Sequence, residues 1–203
     1  MADIKAVLLD VNGTLYSVGD AAEPAFRELG LDPALAPAWF ANVLKDAFAA
    51  QLAGFFQPFR EFAGDHLYKL LAQNGDTMPN VPAAVDTVMA ALTAAHPFPD
   101  VGPGVNALQA AGLRISVMTN GSAALAKAPA PAAYQFAVEK LKLQPYEVLL
   151  VAAHPWDVFA AMREGLQGAY VQREALAHWP TYLPTTPRYT VRSLEELAAL
   201  LKP

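Results

Sequence analysis

Four short apolar runs, set apart by segments of helical periodicity, constrain this chain more than any other feature it carries. Ile4–Leu9, Arg114–Thr119, Glu147–Ala152 and Gly168–Val171 have the length and residue types of buried strands. Between the second and third, residues 131–143 place Tyr134, Val138 and Leu141 at helical spacing, with Pro131 suited to a first turn. Trp156–Glu164 reads as a helix stopped by Gly165. Ser193-Leu-Glu-Glu196 is a capping box, and the helix it opens has Leu194, Leu197, Leu200 and Leu201 as its apolar face. Strands and helices in alternation predict an α/β fold, a parallel sheet covered by helices.

The stretch 18–97 breaks this rhythm. It holds no convincing strand, and Trp39, Phe40, Val43, Leu44, Phe48, Leu52, Phe55 and Phe56 fall at helical intervals in a broad apolar stripe. The expected organisation is therefore an α/β core made of residues 1–17 and 98–203, interrupted by an all-helical insert at 18–97. The breadth of the stripe also raises the expectation of a homodimer through the insert.

Composition narrows the function. With 14 basic against 19 acidic residues, a net charge of −5 and no basic block, the chain lacks the footprint of a nucleic-acid binder or a polybasic membrane patch. No apolar run reaches the roughly 18–20 residues of a membrane helix, and MADIKAVLLD is not built as a signal peptide. Cysteine is absent, which excludes disulfides and thiolate metal sites, and His66, His96, His154 and His178 lack metal-ligand spacing. The expectation is a cytoplasmic protein whose partner is a small-molecule substrate, with no nucleic acid and no membrane.

Ligands of open parallel sheets bind outside the carboxyl ends of the strands. Three such ends carry polar chemistry here: Asp10 with Asn12 and Thr14 after the first strand, Thr119 and Asn120 after the second, His154 and Asp157 after the third. An aspartate closing one strand is often only a turn cap; three matching ends make a site the better reading.

Asp10-Val-Asn-Gly-Thr14-Leu, Thr119-Asn-Gly-Ser122, Pro129-x-Pro-x-x-Tyr134 and His154-Pro-Trp-Asp157, in that order, resemble the four motifs of the haloacid dehalogenase-like superfamily. The resemblance spans essentially the whole chain. It implies a Rossmann-like parallel sheet core with an inserted all-helical cap of the C1 type, and Asp10 as a nucleophile that forms an aspartyl intermediate later opened by water. Phosphatase members have a second Asp two places after the first, which protonates the leaving group. Asn12 has no such proton-transfer role. The type II 2-haloacid dehalogenases lack that second Asp, need no metal, and expel a halide that requires no proton. The resemblance to this branch implies a metal-independent hydrolase, with no cofactor. Asn12, Thr14, Thr119, Asn120 and Tyr134 would then orient the nucleophile or bind substrate, and Asp157 would position water or a cation.

The match frays at three places. The family's halide-cradling Arg beside a cap Trp is missing: Phe40 follows Trp39, and Lys45 is the nearest cation on that helix. In the last motif a Ser is absent, His154 stands where the family has Asn, and Trp156 reads as core packing. The family's Lys before the third motif is replaced by Ala128, with Lys127 one place earlier, and the connection from Ser122 to Pro129 is much shorter than usual. Either that element is lost and Lys127 serves as the catalytic cation, or the family's lysine lies among residues this sequence does not contain. Two other readings stay open: a Mg²⁺-dependent phosphohydrolase of the same superfamily, and a catalytically impaired fold kept as a binding module.

Overall fold

A computed structural model of the chain describes residues 3–118 and 130–202. The chain divides into two compact units, one formed by residues 1–15 with 97–203 and one by residues 16–96.

The first unit is built on five parallel strands: β1 (Ala6–Asp10), β2 (Arg114–Met118), β3 (Val148–Ala152), β4 (Gln167–Val171) and β5 (Tyr189–Val191), in the order β2-β1-β3-β4-β5. Register is fixed by pairs such as Leu8 with Ser116 and Leu150 on its two sides, and Leu150 with Gly168. Because successive side chains of a strand point to opposite faces, Val7 and Leu9 enter one apolar layer with Leu149, Val151 and Val171. Leu8 and Leu150 enter the other. The first layer is closed by α5 (Val101–Ala110) and α8 (Leu194–Leu200), the second by α6 (Pro131–Leu141) and α7 (Pro155–Arg163). Burial on both faces explains why β3, Val-Leu-Leu-Val-Ala, is apolar at every position.

The second unit is a bundle of α1 (Val18–Glu28), α2 (Ala36–Leu52), α3 (Phe59–Gln73) and α4 (Val81–Thr93). Phe26, Trp39, Phe40, Val43, Leu67 and Val88 form its core. Phe26 and Phe59 each meet the Trp39 ring edge-on, and Trp39 Nε1 donates to the Ala63 carbonyl at 3.3 Å, so the indole spends its one polar atom inside the bundle.

Three local expectations require correction. Phe55 and Phe56 do not extend the stripe of α2: the helix ends at Leu52, Gly54 takes φ +73°, and both rings lie exposed beyond it. Leu200 is 56% exposed, and Ala198, four residues after Leu194, takes the buried place. The box at Ser193 is half-formed, since Glu196 N donates to Ser193 Oγ but Glu196 Oε2 accepts from Arg192 N. Residues 97–103, rich in Pro and Gly, include the first turn of α5, where Pro103 costs nothing because the first four N–H groups of a helix have no partner within it. Strand β5 carried no apolar run long enough to announce itself.

Candidate active site

β1 delivers Asp10 at the carboxyl edge of the sheet, and the chain turns at once. Thr14 N and Leu15 N both donate to the Val11 carbonyl, at 3.2 and 2.8 Å. Gly13 takes φ +78°, a conformation that suits a residue without Cβ. This tight return folds Thr14 back over the strand it has just left. Its hydroxyl donates to Asp10 Oδ2 at 2.6 Å and accepts from Ala153 N at 2.8 Å. One fully buried side chain thus ties the end of β1 to the end of β3.

His154 arrives from the second of these strand ends as the N-cap residue of α7. Its Nδ1 lies 3.1 Å from Asp10 Oδ2, and its ring packs over Gly13, where an added Cβ would stand 3.0 Å from Cε1. Trp156 stacks on the imidazole with centroids 5.2 Å apart, so this indole is half-buried against a site residue and not a core side chain as expected. Burial disfavours the charged ring, but the bond to Asp10 and the charges of Asp10, Asp157 and Glu174 outweigh it. The imidazole pKa is raised above its ordinary value.

Asp157 lies in the first turn of α7, 2% exposed. The Tyr134 hydroxyl, itself buried on α6, donates to its Oδ1. Burial, and then the nearby charge of Asp10, push the Asp157 carboxyl up to about 7; the Tyr134 bond and His154 pull the other way. Tyr134 is pushed far upward by the same burial and by Asp157, so it stays a hydrogen-bond donor at any physiological pH.

Five of the residues expected at the site therefore meet at one edge of the sheet: Asp10, Thr14, Tyr134, His154 and Asp157. Asn12 sits half-buried in the turn beside them. Thr119, Asn120 and Lys127 lie outside the described residues. Lys45 is an exposed side chain of α2, with Asn42 Oδ1 at 3.3 Å and Asp46 Oδ1 at 3.5 Å on its own helix. Both hydrogen bonds to the Asp10 carboxylate described here fall on Oδ2, which polarises the group and fixes its plane. Among the described residues no three His, Asp or Glu side chains converge to hold a metal ion, and no helix is long and apolar enough to cross a membrane.

One contributor escaped the sequence reading. Arg173 stands two residues past β4, at the same carboxyl edge, and donates from Nε to the Thr14 carbonyl at 2.9 Å. The rule that led to the other three strand ends would have found it had it been carried on to β4.

A family model described as haloacid dehalogenase-like hydrolase matches residues 4–165. Haloacetate dehalogenase H-2 of Moraxella sp. (strain B) is 26% identical over 234 aligned residues, covering 99% of each chain. That alignment is longer than the present 203 residues, so the relative carries segments with no counterpart here. (S)-2-haloacid dehalogenase 4A of Burkholderia cepacia is 24% identical over 98% of this chain and 95% of its own. Among solved structures, an L-2-haloacid dehalogenase from Xanthobacter autotrophicus with chloropropionic acid covalently bound shares the fold, with a TM-score of 0.85, 22% identity and 98% of both chains covered. With its family matched over most of its length, and with the sheet-edge aspartate in place, the chain belongs to the haloacid dehalogenase-like hydrolases.

Proposed function

We propose that this protein hydrolyses a small 2-haloacid, with Asp10 as nucleophile and without a metal ion. The observation that carries the reading is Asp10 itself. It closes a central parallel strand, and one carboxylate oxygen is held by Thr14 and His154, in a chain whose full-length relatives are named haloacetate and (S)-2-haloacid dehalogenases.

In the first step Asp10 Oδ1 attacks the halogen-bearing carbon in line; the C–O bond forms as the C–halogen bond breaks, and the halide leaves with the bonding electron pair. No proton is needed, which is why Asn12 suffices where a phosphoryl-transfer enzyme would need a general acid. Thr14 and His154 hold the carboxylate at the attacking angle, so that part of the activation entropy is spent in folding rather than in reaction. Water then attacks the Asp10 carboxyl carbon. The hydroxy acid departs with one of its hydrogens, the carboxylate is regenerated, and one proton is released. Asp157, titrating near neutrality beside Asp10, is suited to orient that water and hold its proton, with Tyr134 fixing its position. Asn12, with Thr119 and Asn120 after β2, would bind the substrate carboxylate or halide, and Lys127 or Lys45 would supply positive charge. The helical unit, inserted between β1 and the rest of the sheet, takes the role of the family's cap. A cytoplasmic location and a homodimer complete the reading.

The test is halide release from L-2-chloropropionate with EDTA present. Steady release that Asp10→Asn abolishes is the expected outcome; release that persists in Asp10→Asn, or that EDTA stops, would contradict it.

A further inference from the structure

We infer that Arg173 is a positioning residue for the nucleophile turn, acting on Asp10 through the main chain of Thr14; the inference rests on the reading of Asp10 as nucleophile. Its side chain is only 9% exposed. Nε donates to the Thr14 carbonyl at 2.9 Å, Nη1 donates to Asp100 Oδ1 at 2.8 Å, and the guanidinium lies over the Phe98 ring at 4.4 Å. Asp100 is fixed in turn, since its Oδ2 accepts from Leu194 N at 2.7 Å. Phe98 N donates to the Leu15 carbonyl at 2.8 Å. One planar fork thus joins the end of β4, the turn that follows β1, and the segment by which the chain re-enters the sheet unit at residue 97.

Thr14 is where this bracing reaches the chemistry. Its hydroxyl holds Asp10 Oδ2 and is itself held by Ala153 N, so a shift of the Thr14 backbone moves the anchor of the nucleophile. A guanidinium fixes direction as well as distance, which a flexible ammonium does not. The remaining nitrogen, Nη2, is buried with no hydrogen-bond partner among the described residues. An apolar side chain of similar volume would fill this space without that desolvation cost. What it could not supply is the pair of directed bonds to Thr14 and Asp100.

The experiment compares the wild-type protein with Arg173→Gln and Arg173→Lys. It reads kcat and KM for halide release from L-2-chloropropionate, and amide hydrogen exchange by NMR. In Arg173→Gln, kcat should fall on the order of 10- to 100-fold while KM stays within about threefold. Exchange at Leu15, Phe98 and Ala153 should accelerate by at least about tenfold, with Leu149 and Ala169 in the sheet unchanged. Arg173→Lys, which keeps a cation over Phe98 and one bond, should fall between, and it carries the test if the Gln variant does not fold. Unchanged kcat and unchanged exchange at those three amides would overturn the proposal. So would acceleration spread evenly over the sheet, which marks a purely structural role. If the wild-type protein releases no halide, the functional reading fails by itself, and exchange at Leu15, Phe98 and Ala153 still decides whether Arg173 holds the turn.

Discussion

His154 pairs with the Asp10 carboxylate, and the titration of the imidazole can be followed directly. Burial alone would lower the imidazole pKa; the bond to Asp10 and its charge reverse the sign and raise it. A group raised on folding contributes stability below its unfolded pKa and loses that contribution as pH climbs through the folded one. The same sign holds for Asp157, raised by burial and by Asp10 to about 7 from an ordinary 3.8: the fold favours its protonated form, and that contribution drains away between about pH 4 and pH 7, above which both states are ionised. Resistance to urea should therefore decline as pH rises from about 4 to 7, with the His154 contribution falling from about 6.5 upward. In Asp10→Asn the decline should be shallower. Burial of His154 is then opposed only by Asp157 and Glu174, and its ring resonance in a proton NMR titration should move at lower pH than in the wild type. An unchanged His154 titration in Asp10→Asn would mean that the pair does not exist in solution.

At the scale of elements, legibility followed the range of the signal. β1, β3 and α7 were readable because an apolar run and its polar terminus lie within a dozen residues, and Asp10, Thr14, His154 and Asp157 came with them. Helix α5 was not, because Gly102, Pro103 and Gly104 look like a loop in any local window. The structure explains one of these residues. A Cβ on Gly104 would stand 2.4 Å from Leu194 Cβ and 2.8 Å from the Leu194 carbonyl carbon, so α5 and α8 pack backbone to backbone at that point. Gly104→Ala should thus destabilise the protein by about 1–3 kcal/mol, the usual cost of overpacking, despite the gain in helix propensity. A melting temperature equal to or above the wild-type value would refute the close contact. Strand β5 escaped for another reason: three residues at the sheet edge, of which only Val191 is fully buried, leave no pattern to read. The misplaced Phe55 and Phe56 show the converse error, in which apolar spacing continued past the point where Gly54 had already turned the chain.

For the molecule as a whole, the alternation of strands and helices and the interruption between the first and second strands were enough to anticipate an α/β sheet unit and a helical unit, and the structure contains both. Long-range partnerships were beyond the sequence. Arg173 touches Thr14 from 159 positions away and Asp100 from 73, and nothing near Arg173 in the chain marks it as bound to either. Tyr134 and Asp157 stand 23 apart and were paired only by motif order, their hydrogen bond becoming visible when α6 and α7 covered the same sheet face. The site is thus a product of topology: parallel strands send their carboxyl ends to one edge, and whatever polar residues stand there are collected.

The most direct measurement is isotopic. Multiple turnovers on L-2-chloropropionate in ¹⁸O-water should place label in the side-chain carboxylate of Asp10, found by mass spectrometry of the peptide that contains it, because each hydrolysis returns a solvent oxygen to that group. Full turnover with Asp10 unlabelled and the label confined to the product would mean that water attacks the substrate itself and that this aspartate is no nucleophile.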